Sequence, residues 1–384
     1  MEHYNPIFSK VPTLRFAEFT DEWGKYELSH FVTRITRRNK NNESSLPLTI
    51  SAQYGLVDQI SFFNKTVASV DLSGYYLLYN GDFAYNKSYS NDYAWGAVKR
   101  LDKYEKGCLS SLYFVFRPND NVDSDYLTHY FESSKWHKGI SNIAGEGARN
   151  HGLLNMAVDD YFATKHYLPS LHEQKKIARF FNAITRRIEI QNKIISKYET
   201  LIKGLCDMIF SSIEGNILPL KAIASIEKGQ QINGMSLAKT GKYYYLNGGI
   251  APSGYIDDYN TSEETISISE GGNSCGFVSY NIQKFWSGGH CYTLKIITEQ
   301  CRSKYLFFYL KYKEKDIMQL RVGSGLPNIQ KKSLENFNVK LPNYKKQCFV
   351  ERILEVITAK KEIENALLER FQSQKKFLLS KMFI

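Results

Sequence analysis

The sequence of 384 residues lacks the signatures of secreted, metal-binding and membrane proteins. Its six cysteines form no CxxC pair and no regular framework, so neither a zinc site nor a disulfide scaffold is indicated. We interpret them as reduced thiols. No segment reaches 18 uninterrupted apolar residues, and the amino-terminal stretch has no apolar core of signal-peptide length. These absences predict a cytoplasmic protein.

Catalytic motifs are also missing. The glycine-rich runs GEGARNHG, at Gly145, and GGNSCGFVS, at Gly271, lack the Gly-Lys-Ser/Thr ending of a nucleotide-phosphate loop, and we interpret both as tight turns. No tetrapeptide typical of base-amine methyltransferases occurs, and the eight histidines show no HExxH or HxH spacing. His151 is therefore interpreted as a surface-loop residue. The chain is not expected to be a methyltransferase by itself.

Positive charge and aromatic residues are abundant instead. Fifty Lys and Arg face 39 Asp and Glu, which gives a formal net charge of +11 and suggests a polyanionic partner. A lysine-rich soluble protein without such a partner is the alternative. The hydrophobic fraction of 43% and the aromatic fraction of 14% predict a folded chain, and its length suits two domains or more.

The chain repeats itself. The run LPSLHEQKKIARFFNAIT begins at Leu168, and a related run, LPNYKKQCFVERILEVIT, begins at Leu341, 173 residues later. The same offset carries GLLNMAVDDYFATKHYLPS, at Gly152, onto GLPNIQKKSLENFNVKLPN, at Gly325. A register held without a gap over this length indicates a tandem duplication.

A longer and more divergent segment precedes each copy of the repeat, at residues 23–165 and 215–338. Runs such as GYYLLYNGDFAYN in the first and ETISISEGGNSCGFVSY in the second combine aromatic and β-branched residues with turn formers. The sequence therefore predicts two β-rich globules, each followed by a helix.

The first helix is predicted to run from Ser170 to about Ser212. Ser170 should cap it, while Glu173 reaches back to the backbone N–H of Ser170. Two apolar rows, each repeating every seven residues, then form a coiled-coil seam. The rows are Phe181, Ile188, Ile195, Ile202 and Ile209, and Ile177, Ile184, Gln191, Tyr198 and Leu205. Such a helix would be about 64 Å long at about 1.5 Å per residue and needs another helix as its partner.

The second helix offers a looser seam, because Lys361, Glu364 and Lys375 interrupt its rows. Its apolar positions are Val350, Leu354, Ile357, Ile363, Leu367, Phe371, Leu378 and Met382. We expect the two helices to pair with each other in antiparallel orientation. A homodimeric coiled coil is the alternative.

Basic, amide and aromatic residues cluster in both globules, as in nucleic-acid interfaces. Arg and Lys bind phosphates or guanine edges, whereas Asn and Gln suit adenine. The candidates in the first globule are Arg34, Arg37, Arg38, Lys40, Asn86, Lys87, Tyr89, Lys99, Arg100, Arg149 and Asn150. Those in the second are Lys228, Gln230, Gln231, Asn233, Asn273, Ser274, Tyr280, Asn281 and Lys284. Any one of them could be a solvated loop residue, but the two clusters together favour nucleic acid.

The chain resembles the specificity subunits of type I restriction-modification systems. Its opening VPTLRFAEFTDEW is similar to their usual start, and its two helix regions resemble their central and carboxyl-terminal regions. The runs YYYLNGGIAPSGYIDDYN and FWSGGHCYTL are similar to their target-recognition domains. The second copy departs from the family, because Lys346-Gln347 stands where a Glu-Gln pair is common.

The resemblance implies an α+β fold with two mixed α/β target-recognition domains, separated by two long antiparallel helices that form an intramolecular coiled coil with a pseudo-two-fold internal repeat. The domains would be residues 1–167 and 213–340, and the spacer helices residues 168–212 and 341–384.

The resemblance also implies a non-catalytic subunit that reads a bipartite target in double-stranded DNA, with one domain for each half-site. Its partners would be two methyltransferase subunits and, where cleavage occurs, motor-nuclease subunits, with no membrane involved. The chain itself would bind no cofactor. S-adenosylmethionine for adenine methylation, and ATP and Mg²⁺ for restriction, would belong to the partners.

Two other functions stay open at this stage. Glu173 and Lys175, with Asp159 and Asp160 upstream, imitate a metal-dependent nuclease centre, so the chain could be a stand-alone DNA-cleaving or DNA-modifying enzyme. The capping role proposed for Glu173 argues against that centre. A coiled-coil scaffold that binds only protein is the other alternative.

Overall fold

The computed structural model describes residues 10–65, 68–90, 93–145, 152–233, 237–323 and 325–384. It divides into two compact units: unit 1 comprises Met1–Gln191 and Leu367–Ile384, and unit 2 comprises Asn192–Ala366. Along the chain, the long helix α6 lies between the two sets of strands, as the sequence predicts. Among the described residues, no helix combines the length and apolar character needed to cross a membrane.

The first half of the chain forms short strands and five short helices within the described residues, followed by α6. The strands are β1 (Gly24–Glu27), β2 (Val32–Arg34), β3 (Leu48–Ser51), β4 (Gly55–Asp58), β5 (Tyr76–Tyr79), β6 (Phe83–Asn86), β7 (Ala97–Arg100), β8 (Lys106–Leu109), β9 (Phe114–Pro118) and β10 (Lys165–Leu168). The helices are α1 (Leu28–Phe31), α2 (Gln59–Phe63), α3 (Ser124–Glu132), α4 (His137–Ile143), α5 (Val158–Phe162) and α6 (Leu171–Ser212).

The second half of the chain has the same kinds of element. Its strands are β11 (Asn216–Pro219), β12 (Ala224–Lys228), β13 (Tyr243–Leu246), β14 (Gly254–Ile256), β15 (Thr265–Ser269), β16 (Val278–Asn281), β17 (Phe285–Ser287), β18 (Cys291–Ile296) and β19 (Asn338–Leu341). Its helices are a 3₁₀ turn (Leu220–Ala222), α7 (Ser303–Tyr312), α8 (Glu314–Met318), α9 (Lys331–Glu335) and α10 (Tyr344–Met382).

The main sheets of the two units have the same topology. Unit 1 has a four-stranded antiparallel sheet in the order β2-β9-β6-β7, and unit 2 has one in the order β12-β18-β15-β16. In the central strand β6, Phe83 and Tyr85 pack in the core beside α3, while Ala84 joins a second cluster on the opposite face. This alternation is what the pleat of a strand dictates, and the two apolar faces explain why Phe83, Ala84 and Tyr85 are all buried.

The predicted duplication is visible in matching elements. The strands β10 and β19, and the helices α5 and α9, begin and end at positions 173 residues apart. β10 pairs antiparallel with β1, and β19 pairs antiparallel with β11. Each long helix therefore begins directly after a strand that the start of its own globule holds in place.

Gln174 and Gln347 occupy the same position of the repeat and make the same contacts. Nε2 of each donates to the carbonyl of the proline five residues before it, at 3.0 and 2.8 Å. Oε1 of Gln174 accepts the backbone N–H of Asp123 at 2.8 Å, and Oε1 of Gln347 accepts that of Arg302 at 2.9 Å. Asp123 and Arg302 immediately precede α3 and α7. Each amide thus joins the start of a long helix to the start of a globule helix.

The predicted seam of α6 is confirmed, because all ten of its residues are buried or half-buried. In unit 1 the ring of Phe181 stacks on that of Phe383, with centroids 5.7 Å apart, and Arg187 lies 4.3 Å over the ring of Phe371. A later residue of α6 thus contacts an earlier residue of the carboxyl-terminal segment. The two helices are antiparallel in this unit.

Unit 2 contains the same arrangement. Glu199 lies 4.0 Å from Lys361, and Glu214 lies 3.5 Å from Lys346. Phe210 shares a core cluster with Val350 and Leu354. The predicted antiparallel pairing within one chain is therefore present in both units.

Two details of the helix prediction are wrong. The side chain of Ile363 is 65% exposed, so it does not belong to the seam of α10. The interrupting residue Lys361 faces the partner helix and approaches Glu199 instead. Ser170 does cap α6, since its Oγ accepts the N–H of Glu173 at 3.3 Å. The carboxylate of Glu173, however, bonds to Arg15 rather than reaching back to the cap.

Candidate nucleic-acid interface

Several strands of unit 2 end at one edge and bring glycine-rich turns together there. β13 and β17 are parallel, so the turns after both lie at the same edge of their sheet. β12 and β15 end beside the start of β18, where Lys228 pairs with Tyr292 and Ser269 with Cys291. We call the turns at this edge the loop cluster of unit 2: residues 228–233, 247–249, 270–276 and 287–290.

Hydrogen bonds connect the turns of the loop cluster. The backbone N–H of Glu270 donates to the carbonyl of His290 at 2.9 Å, and the N–H of His290 donates to Oδ1 of Asn247 at 3.0 Å. Oγ of Ser274 donates to the carbonyl of Gly248 at 2.7 Å. Gly248 has φ +77°, and a Cβ there would lie 2.6 Å from the carbonyl oxygen of His290, so this close packing requires glycine.

The structure brings most of the candidates of unit 2 into this cluster. Lys228, Gln230, Gln231, Asn233, Asn273 and Ser274 lie in its turns. Gln230, Gln231, Asn233 and Asn273 are exposed, and the backbone of Gln230 is fixed by its bonds to Ser287 and Trp286. Exposed amides on a fixed backbone can donate to and accept from base edges, whereas a mobile loop would lose entropy on binding.

A half-buried carboxylate, that of Glu270, lies at the centre of the loop cluster. Oε1 of Glu270 accepts a hydrogen bond from Nζ of Lys228 at 2.6 Å. It also lies 3.1 Å from the hydroxyl of Tyr292, which shares its one proton between Oε1 and the carbonyl of Ile329, also at 3.1 Å. Burial and the charge of Glu270 raise the pKa of Tyr292 to about 12, so this phenol remains a donor at neutral pH. Oε2 of Glu270 is buried and makes no hydrogen bond to any of the described residues, and Nδ1 of His290 lies 3.7 Å from it. The ammonium group of Lys228 is thus held at the surface by an acid beneath it.

Three other candidates of unit 2 lie outside the loop cluster. Asn281 is buried, and its amide bonds to Tyr244, Thr265 and Ser267 at 2.9 to 3.0 Å, which uses its polar groups within the fold. Tyr280 packs on Phe307 of α7. Lys284 is half-buried, and its Nζ lies 4.7 Å from the ring centroid of Tyr259.

Unit 1 has an equivalent pair of turns, which we call the loop pair of unit 1: residues 86–90 after β6, and residues 152–155. Tyr89 N–H donates to the carbonyl of Gly152 at 2.9 Å, and Leu154 N–H donates to that of Lys87 at 3.0 Å. In unit 2 the turn after β15 meets the corresponding segment of the repeat in the same way, since Gly272 N–H donates to the carbonyl of Pro327 at 3.0 Å. Both units therefore join a central-strand turn to the same part of the repeat.

The candidates Asn86, Lys87 and Tyr89 belong to this loop pair. Tyr89 is 49% exposed. Lys87 lies 4.8 Å over the ring of Phe114, and partial burial lowers its pKa. Arg149 and Asn150, together with His151, lie outside the described residues.

The four basic candidates between residues 34 and 40 divide into two that bond within the fold and two that are exposed. Arg37 pairs with the fully buried Asp82 at 2.9 Å and lies 4.2 Å over the ring of Tyr79. Arg38 donates to the carbonyl of Gly74 at 2.7 Å. The remaining two members, Arg34 and Lys40, are exposed, and Arg34 lies 3.7 Å from Asp159.

Lys99 and Arg100 lie on β7, the edge strand that corresponds to β16. Arg100 bonds to Asp102 at 2.6 Å and to Asp125 at 2.7 Å, at the start of α3. Burial lowers the pKa of Lys99. Like Tyr280 and Asn281 on β16, these two residues are engaged by the fold rather than presented by the loop pair.

Sequence reasoning did not select Glu270, Tyr292 or His290. Glu270 and Tyr292 are separated by more than 20 residues, and only the pairing of β15 with β18 brings them together. His290 carried a usable signal, because it follows two glycines after an aromatic strand in FWSGGH.

Comparison with known proteins finds matches to type I specificity subunits. Residues 216–372 match the family model of the type I restriction modification DNA specificity domain. A putative type I specificity subunit of Mycoplasma pneumoniae is 32% identical over 152 residues, which are 39% of this chain and 40% of that protein. One from Mycoplasma genitalium is 28% identical over 43% of this chain and 45% of that protein. These two alignments span less than half the length of either relative.

Longer matches cover nearly the whole chain. A putative type I restriction enzyme specificity subunit of Methanocaldococcus jannaschii is 23% identical over 95% of this chain and 93% of its own length. The crystal structure of a type I restriction-modification S subunit from M. genitalium superposes with a TM-score of 0.65, at 18% identity over 97% of this chain and 99% of that one. A second solved chain comes from a study of complex assembly and conformational transition of the type I restriction-modification system. It superposes with a TM-score of 0.55, at 17% identity over 94% of this chain and 97% of that one.

The two structural matches confirm the predicted fold, with helices and sheets combined and a long helix between two sheet domains. Residues 216–372 thus match the type I restriction modification DNA specificity domain, and nearly the whole chain is similar to type I specificity subunits.

Proposed function

We propose that this chain is the DNA-reading subunit of a type I restriction-modification complex and that each unit reads one half of a bipartite target. The observation that carries the proposal is the shared architecture of the two units. They have the same sheet order, and in each the turn after the central strand meets the same segment of the repeat. The side chains on those turns differ, and unlike readers suit unlike half-sites.

The charge of the chain supports a nucleic-acid partner. A formal net charge of +11 gives a sequence-independent attraction to phosphates, and exposed Lys, Gln and Asn in the loop cluster can contact base edges. Binding should therefore weaken steeply as salt rises. A scaffold that binds only protein would show no such DNA binding.

The partners follow from the family rather than from any contact seen in this chain. We propose that two methyltransferase subunits dock on it, with motor-nuclease subunits in complexes that cleave DNA. S-adenosylmethionine, and ATP and Mg²⁺ for restriction, would be bound by those partners, and the complex would act in the cytoplasm. In this proposal the chain contributes recognition and no catalytic residue.

The direct test is methylome sequencing of a host that expresses the chain with its methyltransferase. The expected result is adenine methylation within a two-part motif with a gap of undefined bases. The double variant Gln231→Ala with Asn273→Ala should alter one half of the motif, and Lys87→Ala with Tyr89→Ala should alter the other. The matched control is Lys165→Ala, an exposed lysine on β10 outside both sets of turns.

Three results would contradict the proposal. Methylation or cleavage by the purified chain alone, with S-adenosylmethionine and Mg²⁺ supplied, would make it an enzyme. A continuous motif, without a gap, would exclude two separate readers. A change in both halves caused by substitutions in one unit would exclude independent reading.

A further inference from the structure

Glu270 is out of place at an interface for DNA, and its surroundings explain why it is there. A carboxylate near phosphates is repelled, and a buried carboxylate oxygen without a hydrogen bond is rare in folded proteins. Oε1 of Glu270 is used by Lys228 and Tyr292, and Oε2 is buried. Neither oxygen is available to accept from a base, so Glu270 itself does not read DNA.

Lys228 has the opposite properties. Its side chain is 52% exposed, although Nζ lies 2.6 Å from the carboxylate of Glu270. An ammonium group has three donors, and this bond uses one of them. The remaining donors of a group held at the edge of the loop cluster can point to a ligand there. A lysine side chain normally loses considerable entropy when it is fixed, and here the fold has already fixed it.

A comparison with Asp82 of unit 1 distinguishes the Lys228–Glu270 pair from a structural ion pair. Asp82 is fully buried, and its two oxygens accept from Arg37, Arg117 and the backbone N–H of Tyr79. That carboxylate is saturated, and Arg37 also donates to the carbonyl of Leu77. In unit 2, among the described residues, Oε2 of Glu270 makes no hydrogen bond, and the side chain of Lys228 is 52% exposed, against 35% for Arg37 and 47% for Arg117.

We propose that Lys228 is a specificity-determining residue that donates to the O6 and N7 acceptors of one guanine in the half-site read by unit 2, and that Glu270 is the residue that positions it. This inference rests on the proposed function and names one contact within it. Guanine is the base whose major-groove edge offers two acceptors to one lysine or arginine. A carboxylate that holds the ammonium group fixes the contact to one base pair, whereas a freely rotating lysine would contact any nearby phosphate.

The test uses the complete complex of the chain with its methyltransferase, together with duplexes in which each base pair of the methylated motif is changed in turn. Lys228→Met should reduce discrimination at one G·C pair in one half-site by at least about fivefold. Glu270→Gln should relax the same position while affinity for unrelated DNA is retained, because the lysine charge remains. The matched control is Lys221→Met, an exposed lysine before the amino end of β12 whose Nζ bonds to Asn336.

The other outcomes overturn the inference. If Lys228→Met weakens binding equally on all duplexes and reduces the salt dependence, Lys228 contacts a phosphate. If the base preferences are unchanged, Lys228 reads nothing. If Glu270→Gln lowers the melting temperature and the affinity for every duplex together, its role is structural, and Lys228→Met, at an exposed position, still tests the base contact. If the wild-type complex itself shows no bipartite motif, it is the proposed function that fails.

Discussion

The starts of the two long helices carry the same amide but differently placed carboxylates. In unit 1 Glu173 is buried and accepts two hydrogen bonds from Arg15, both at 2.7 Å. The corresponding residue in unit 2 is the exposed Lys346, and the buried acid is Glu351, which accepts from Arg302 at 2.6 Å. When the two copies are aligned at the offset of 173 residues, the buried acid of unit 2 lies five residues further along its helix than that of unit 1.

This difference shows which contacts a duplicated segment has to keep in place. The amides of Gln174 and Gln347 bond to backbone groups, which lie at the same place in both copies. Arginine and glutamate have long side chains that can meet from different positions, so their pairing survives relocation. The replacement of Glu by Lys346 therefore moves an ion pair rather than removing one.

The largest effect is expected from charge in the seam that both units share. Replacing Ile188 and Ile195 by Asp places two carboxylates among half-buried apolar residues and should reduce the free energy of unfolding by roughly 5 kcal/mol. Chemical denaturation followed by circular dichroism measures this. Ile190→Asp is the control, since Ile190 is 47% exposed on the same helix. Wild-type stability in the double variant would contradict the coiled-coil assignment.

The two ion pairs should differ in importance. Arg15→Met leaves Glu173 buried without its cation and should cost about 4 kcal/mol. Arg302→Met should cost less, because Glu351 keeps the backbone N–H of Tyr305 at 2.9 Å, whereas Glu173 keeps the longer bond from Nε1 of Trp23 at 3.4 Å. Lys10→Met is the control, since its ion pair is exposed and should contribute little. Urea denaturation measures the free energy of unfolding of each variant. Equal losses of this free energy in the two arginine variants would contradict the expected difference between the two ion pairs.

The free energy of unfolding should depend on pH through a buried histidine of unit 1 that has an apolar residue as its counterpart in unit 2. Burial lowers the pKa of His166 from 6.5 to about 4, and the repeat places the apolar Val339 at the same position in unit 2. Between these values the unfolded chain binds a proton that the folded chain does not, so the free energy of unfolding falls as pH drops from 6.5 to 4. The loss attributable to this group is about 3 kcal/mol.

His166→Val should remove this part of the pH dependence, and unfolding free energies measured between pH 7 and 4 test it. The variant also loses hydrogen bonds to Tyr130 and Thr164, so the slope with pH is compared rather than the absolute stability. His172→Val, at an exposed position on α6, is the control and should retain the slope. An unchanged slope in His166→Val would contradict the assignment.

The smallest effect is expected from the shared amides. Gln174→Leu and Gln347→Leu should each reduce the free energy of unfolding by about 2 kcal/mol, because buried backbone groups lose their partners. Thermal unfolding measures both, and Gln372→Leu, at an exposed position on α10, is the control. Destabilisation in only one of the two variants would mean that the two starts are not equivalent.

The long helices were predictable because their signal is local. The seam of α6 repeats every seven residues, and its cap lies beside it in the sequence. The exposed Ile363 was not predictable from the same pattern, since whether a lysine or an isoleucine faces the partner helix depends on what the partner presents there. Lys361 faces inward because Glu199 lies opposite.

The candidate interface was predictable in part. Glycine-rich turns and amides identify residues such as Asn273 without any knowledge of the fold. The role of Asn281 was not visible, because the sequence of an edge strand does not tell which of its side chains bond within the sheet. Glu270 and Lys228 lie 42 residues apart and meet only through the order of the strands.

The amide contact of Gln174 and Gln347 also has a consequence for exchange between genes. The amide binds the globule through the backbone N–H of the residue just before one helix, a group that every residue except proline possesses. A foreign globule grafted at this junction would need only a helix start in the right place, whatever its own sequence. Such a graft would therefore need no compensating change in the long helix that carries the amide.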